Sequence, residues 1–452
     1  MAVILLAKVT AVFVLVVLSC YLVRHLLFAL YRLFGPRKRN YMDLAGFHLP
    51  SVSVLLPMHN EEDVAPDVLE ALLEAGYPRQ PGRFEIIAIN DHSTDATGKI
   101  LEDYARRHPQ IQPLHRSGGL RGKPAALQEA SQKARGEVLV VFDADYIPGK
   151  SLLEFLVAPF ADPQVGAVMG RVVPYNVSGT LLTRLLDLER AAGYQVNQQA
   201  RHDLGLIAQY GGTAGAVRRA ALDSVGGWNQ KSLTEDTDLT LRLAIRGWKV
   251  VYVNRAECYE EVPATWRSRR RQIERWAIGH TQCFHRCWFS LLRSPWLGWK
   301  AKLDGTLLLG VYLTAPLIVI GWLASVVLFL RGESYLPSLV IFLLAATCCN
   351  TLGNFTAFLE IGSSVILDGT RQRIRLLPLN IANYVFSTAT VSLALARFYA
   401  RWLLGRSLGW EKTKRHRNGN GNGGPNGNGQ ANGRGLNVVR ARAAAQGSSG
   451  SS

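Results

Sequence analysis

The chain is short of acidic side chains: 34 Asp and Glu stand against 51 Lys and Arg, a formal charge of +17 over 452 residues. A basic excess of this size raises nucleic acid as a partner. No basic array interleaved with aromatics and no nucleic-acid motif accompanies it, so nucleic acid is set aside. Charge of either sign is thin, at 19% of residues against 48% hydrophobic, and in so apolar a chain the excess points to cytoplasmic flanks and anionic lipid. Cysteine is also scarce, with six residues. Cys20, Cys348 and Cys349 fall in apolar runs, and Cys258, Cys283 and Cys287 on the side expected to be cytoplasmic, where disulfides are rare. His280, Cys283 and Cys287 share one helical face, but a fourth metal ligand is missing, so packing is expected there. There is no internal repeat, and no small-residue cleavage site follows the first apolar run.

What is present is hydrocarbon in blocks. Residues 2–34 are almost unbroken apolar sequence, longer than the roughly 20 residues a span requires, and "GPRKRN" follows. This reads as a retained anchor. Further runs lie at about 303–330, 336–361 and 376–400. The expected organisation is an anchor over 1–48, a globular cytoplasmic domain over 49–263, amphipathic interfacial helices over 264–300, a membrane bundle over 301–405, and a basic, Gly/Asn-rich disordered tail over 406–452. Three late spans would put that tail outside, yet its Arg and Lys favour the cytoplasm, which is where it is expected.

In the middle, short apolar runs alternate with helical patterns: "SVSVLLPMHNEE", "FEIIAINDHSTD" and "EVLVVFDADYIPG" each run from a strand into polar residues. The pattern implies an α/β domain with a mainly parallel sheet, whose ligand lies beyond the carboxyl ends of the strands. Pro57 to Glu61, Asp91 with Asp95, and Asp143 with Asp145 all sit at those ends. Carboxylates gathered this way repel unless something positive joins them. Two of them one residue apart suit a hard divalent cation carrying phosphate oxygens, Mg²⁺ or Mn²⁺.

Taken in order, Asp91, the D-A-D at 143–145, "TED" at 234–236 and "QIERW" at 272–276 resemble the membrane-integrated family-2 glycosyltransferases, a group that includes cellulose, chitin, hyaluronan, mannan and poly-N-acetylglucosamine synthases. "GGLRGKPAAL" and "GGTAGAVRR" fit as well, with Gln128 standing where relatives carry Asn. The resemblance implies a GT-A type, Rossmann-like fold inserted between transmembrane helices, a nucleotide-sugar donor, and inversion at the anomeric carbon. It implies Asp236 as general base and Asp145 as metal ligand. Donor contacts would come from Pro57, Glu61, Asp91, Lys123, Asp143 and Arg275, and acceptor contacts from Glu235, Gln272 and Trp276. Plainer roles exist for several of these: a helix N-cap for Asp91, helix-terminal acids for Glu235 and Asp238, a solvated Lys123, a membrane-surface helix for 267–288. The expected activity is elongation of a β-linked polysaccharide from UDP-glucose or UDP-N-acetylglucosamine at the inner membrane, coupled to export and open to accessory subunits. The alternative is transfer of a single sugar to a ceramide- or polyprenyl-type lipid.

Overall fold

The computed structural model describes residues 1–36, 41–75, 77–78, 83–332 and 358–404. Val52–Met58 (β1) and Phe84–Asp91 (β2) are apolar and buried on both faces, as strands inside a parallel sheet must be. They join Ile111–Arg116 (β3), Val138–Val141 (β4), Ile147–Pro148 (β5), Val165–Pro174 (β6), Gly215–Arg218 (β7) and Lys249–Glu260 (β8) in one sheet of order β3-β2-β1-β4-β7-β6-β8-β5.

The expected parallel pairing holds for β1 with β2 and β4, β2 with β3, and β6 with β8. It fails at the short β5, antiparallel to β8, and at β7, which is antiparallel to β4 and β6. The register explains the difference: Gly215 pairs with Val141 and Arg218 with Val138. The chain therefore enters β7 at the carboxyl edge of β4 and has to run backwards. The loop before β7 is thereby fixed beside the polar end of β4.

Helices Ala65–Glu74 (α2), Thr97–Arg107 (α3), Lys123–Lys133 (α4) and Leu152–Val157 (α5) follow the early strands. Leu181–Ala191 (α6) continues through a π-helical turn, Ala192–Gln198, into Gln199–Asp203 (α7). Arg219–Ser224 (α8) and Glu235–Ile245 (α9) precede β8, and the long Trp266–Arg293 (α10) follows it.

Among the described residues, three helices are long and apolar enough to cross a membrane: Ala2–Phe34 (α1), Val311–Leu330 and Gln372–Leu403. The run expected from 303 breaks at Gly310. Trp299–Leu309 (α11) carries buried Asp304, paired with Arg24 at 2.7 Å and Arg201 at 3.4 Å, so the apolar span starts only at Val311. Its main helix is Thr314–Leu330 (α12), and Asn380–Leu403 (α14) forms most of the last candidate span. Of the 336–361 run, only the start of Phe358–Leu367 (α13) is described. Cys348, Cys349 and the tail from 405 lie outside the described residues.

The last third of α1 is polar on its inner side. Arg32 donates to the Gln195 carbonyl at 2.7 Å, and His25 lies 2.9 Å from Glu360 of α13. Arg24 and Arg32 are buried although they belong to an otherwise apolar helix.

Candidate active site

The carboxyl ends of β2 and β4 meet the N-terminus of α4, which faces the N-terminus of α9. Pro57 is the penultimate residue of β1, opposite Ile89, and the Glu61 N–H donates to Thr97 Oγ1 at 2.9 Å. Asp91 is buried with both oxygens engaged: one by Arg116 and by His92 Nδ1 at 2.7 Å, the other by the Gly122 N–H at 2.8 Å. Asp91 and Arg116 are direct register partners across β2 and β3. Asp91 is not a helix cap. Asp95 does that work, accepting from the Thr97 N–H at 3.0 Å.

Lys123 opens α4 and reaches across the groove. Its Nζ lies 2.6 Å from Asp143 and 3.5 Å from Glu235, and donates to the Gly212 carbonyl at 2.8 Å. Burial alone would lower its affinity for the proton, but Asp143 and Glu235 reverse that and hold it above the ordinary lysine value. The Asp143 N–H donates to Thr213 Oγ1 at 3.0 Å, joining the β4 end to the loop before β7. Gly212 in that loop has φ +74°, and a Cβ there would lie 3.1 Å from Asp236 Cβ, so this position favours glycine twice over.

Asp143 and Asp145 supply hard oxygen ligands at one strand end. Among the described residues no group of three or more His, Cys, Asp or Glu forms a ready cage. A two-carboxylate donor set fits Mg²⁺ or Mn²⁺ arriving with phosphate oxygens better than a metal held by protein alone.

Asp236 stands in the first turn of α9. Its pKa is raised to about 7, first by burial and then by the neighbouring Glu235 charge. The Thr237 N–H, which donates to Asp236 Oδ1 at 2.7 Å, and the charges of Lys123 and Arg275 oppose the shift. Asp238, two residues on, is a structural acid. It is fully buried and takes Arg242 at 2.7 Å and Arg286 of α10 at 2.8 Å.

On α10, Arg275 is exposed, and Gln272 accepts from Arg269 at 2.8 Å. Trp276 is half-buried, and the guanidiniums of Arg190 and Arg269 lie over its ring, 5.2 and 5.6 Å from the centroid. At most one face is left for stacking. Arg269 Nη2 donates to both Glu189 carboxylate oxygens at 2.6 Å, and Arg190 is anchored on Glu260, which also accepts from the Tyr146 hydroxyl at 2.8 Å. Asn383 of α14 donates to Glu189 at 3.3 Å, tying this cluster to a candidate span.

The groove thus brings together Asp143, Lys123, Glu235 and Asp236, with Arg275 close enough for its charge to act on Asp236. Sequence reading missed Thr213, Glu189, Arg190, Glu260 and Arg269. Arg269 stood in plain view three residues before Gln272, whereas the others depend on pairings between distant strands and helices.

The signature of a family described as "Glycosyltransferase like family 2" matches residues 50–279, just over half of the chain. The probable glycosyltransferase YdaM of Bacillus subtilis is 37% identical over 235 residues, 51% of this chain and 56% of that protein. A beta-monoglucosyldiacylglycerol synthase of Synechocystis sp. is 36% identical over 263 residues, 58% of this chain and 54% of that one. The chain thus spans about half the length of the curated relatives it matches. The mannosyltransferase PcManGT of Pyrobaculum calidifontis, solved with GDP-Man and Mn²⁺, superposes with a TM-score of 0.55 at 20% identity, covering 80% of this chain and 98% of its own. That likeness establishes the GT-A fold.

Proposed function

The chain belongs to glycosyltransferase-like family 2, and from that premise we propose that it transfers one sugar, with inversion, from a nucleotide-sugar donor to the hydroxyl of a membrane lipid. The observation that carries the reading is Asp236: a carboxylate with a pKa near 7, at a helix N-terminus, facing the groove that Asp143 and Lys123 border. A base is most useful when its pKa lies close to the working pH. The relatives named as beta-monoglucosyldiacylglycerol synthases favour the lipid acceptor over the growing polysaccharide.

In this reading the donor's base lies beside Pro57, Glu61 and Asp91, whose carboxylate Arg116 and Gly122 hold in one orientation. Asp143 and Asp145 would hold Mg²⁺ or Mn²⁺, which when bound neutralises charge on the diphosphate. Lys123 and Arg275 add positive charge on the same side. Gln272, Glu235 and the free side of Trp276 orient the acceptor. Its hydroxyl oxygen attacks the anomeric carbon opposite the diphosphate, and its proton passes to Asp236. The bond from the anomeric carbon to phosphate breaks, and the electron pair leaves with the nucleotide. Attack from that side turns an α-linked donor into a β-linked product. The catalytic domain is proposed to face the cytoplasm, at the membrane from which the lipid is drawn.

The test uses the full chain in vesicles containing diacylglycerol, supplied in parallel with labelled UDP-glucose, UDP-N-acetylglucosamine and GDP-mannose. A lipid-extractable product bearing one hexose is expected. An insoluble or high-mass glycan with no labelled lipid would overturn the lipid reading in favour of polymer synthesis.

A further inference from the structure

The face of α10 that carries His280, Cys283 and Cys287 grips the first turn of α9. Gly279 opens the approach, because a Cβ there would clash with Thr234 Cγ2 and lie 2.8 Å from its Oγ1. Cys283 Sγ lies 3.5 Å from Thr234 Oγ1, and Arg286 pairs with Asp238 at 2.8 Å. Between them, His280 Nε2 lies 3.2 Å from Thr237 Oγ1, which also accepts from Gln209 at 3.0 Å. The Thr237 N–H is the group that holds Asp236 Oδ1. On its other side the imidazole meets Tyr312 edge to face, ring centres 5.0 Å apart, at the start of the Val311–Leu330 span.

We propose that His280 is a positioning residue for Asp236: it fixes Thr237, and Thr237 fixes the carboxylate's rotamer and the backbone N–H that it accepts. The assignment rests on the reading of Asp236 as the general base. His280 is nine-tenths buried, and its Nδ1 has no hydrogen-bond partner among the described residues. A charged ring would thus bury an unanswered N–H. Burial, with Arg201 nearby, lowers its pKa to about 4, so the ring stays neutral and does not compete for the substrate proton. The charged groups facing Asp236 are Glu235 on its own helix, Lys123 of α4 and Arg275 of α10. Tyr194, Tyr210 and Tyr312 also lie within its field.

Loosening Thr237 weakens a hydrogen bond to the ionised carboxylate, which raises the pKa of the base. His280→Phe, which keeps the ring volume, should therefore lower kcat by on the order of ten- to a hundredfold. It should also move the acid limb of the kcat–pH profile to higher pH, with donor KM unchanged. His280→Gln, which can return a polar group near Thr237 Oγ1, should restore the limb. Thr237→Val should reproduce the shift without touching His280, and the double variant should add nothing to either. Nucleotide binding by each variant reports that it has folded. Asp236→Asn run in parallel separates two failures. Turnover by Asp236→Asn near wild type overturns the base and the brace together. An inert Asp236→Asn beside wild-type limbs in His280→Phe or Thr237→Val overturns the brace alone.

Discussion

Asp236 shows how one side chain's surroundings set its chemistry. Glu235 and burial push its pKa up, while the Thr237 N–H, Lys123 and Arg275 pull it back, leaving it at about 7. The base works only when deprotonated, so a raised pKa is felt as activity lost on the acid side. The kcat/KM of the wild type should be level above about pH 8 and fall about tenfold per unit below about pH 6. Asp236→Asn keeps the shape but cannot take the proton. It should cost about 10²–10⁴-fold in kcat while nucleotide-sugar binding, measured calorimetrically, stays near wild type. Asp145→Ala should weaken metal-dependent donor binding and turnover together, and full wild-type activity in excess chelator would remove the metal from this account. The order of acidic motifs along the chain made these residues legible. Their partners were not: Asp91 meets Arg116 because β2 and β3 pair in that register, and no local pattern encodes a register between separate strands.

At the scale of elements, the sequence suggested only part of what α10 contacts. The arginines at its start read as a membrane-surface helix. The structure adds a small-residue notch at Gly279 through which α10 is pressed against the first turn of α9. Gly279→Ala should gain about 1 kcal/mol of helix propensity. It should lose about 1–3 kcal/mol to overpacking against Thr234, so the net effect is neutral to destabilising. The larger consequence is geometric, because pushing α10 away also displaces Thr237 and the base. Turnover in Gly279→Ala is expected to fall severalfold more than nucleotide affinity, as a kinetic comparison with wild type would read. Strands β1, β2 and β4 were visible from their apolar runs. The reversal of β7 was not, because strand direction depends on where the preceding loop emerges.

Across the whole molecule, the hydrophobic blocks announced membrane helices, but the polar mesh joining them to the globular part was invisible in composition. It consists of single residues scattered from position 24 to position 368: Arg24 with Asp304, His25 with Glu360, Arg32 with the Gln195 carbonyl, Arg171 with Asp368. The 33 residues of α1 give a rod of about 50 Å. A bilayer's hydrocarbon takes about 30 Å of such a rod. Roughly 20 Å remains, and it is this remainder that carries Arg24 and Arg32 against the π-helical turn and α7, and His25 against Glu360 of α13. That turn continues α6, which brings Glu189 and Arg190 to Trp276. In the proposed reading the rod acts as a gauge, setting the height above the hydrocarbon at which Asp236 meets a hydroxyl. Two acceptors with the same alcohol would then be told apart by altitude, the one whose oxygen floats at that level being glycosylated and the one held deeper or drifting free being passed over.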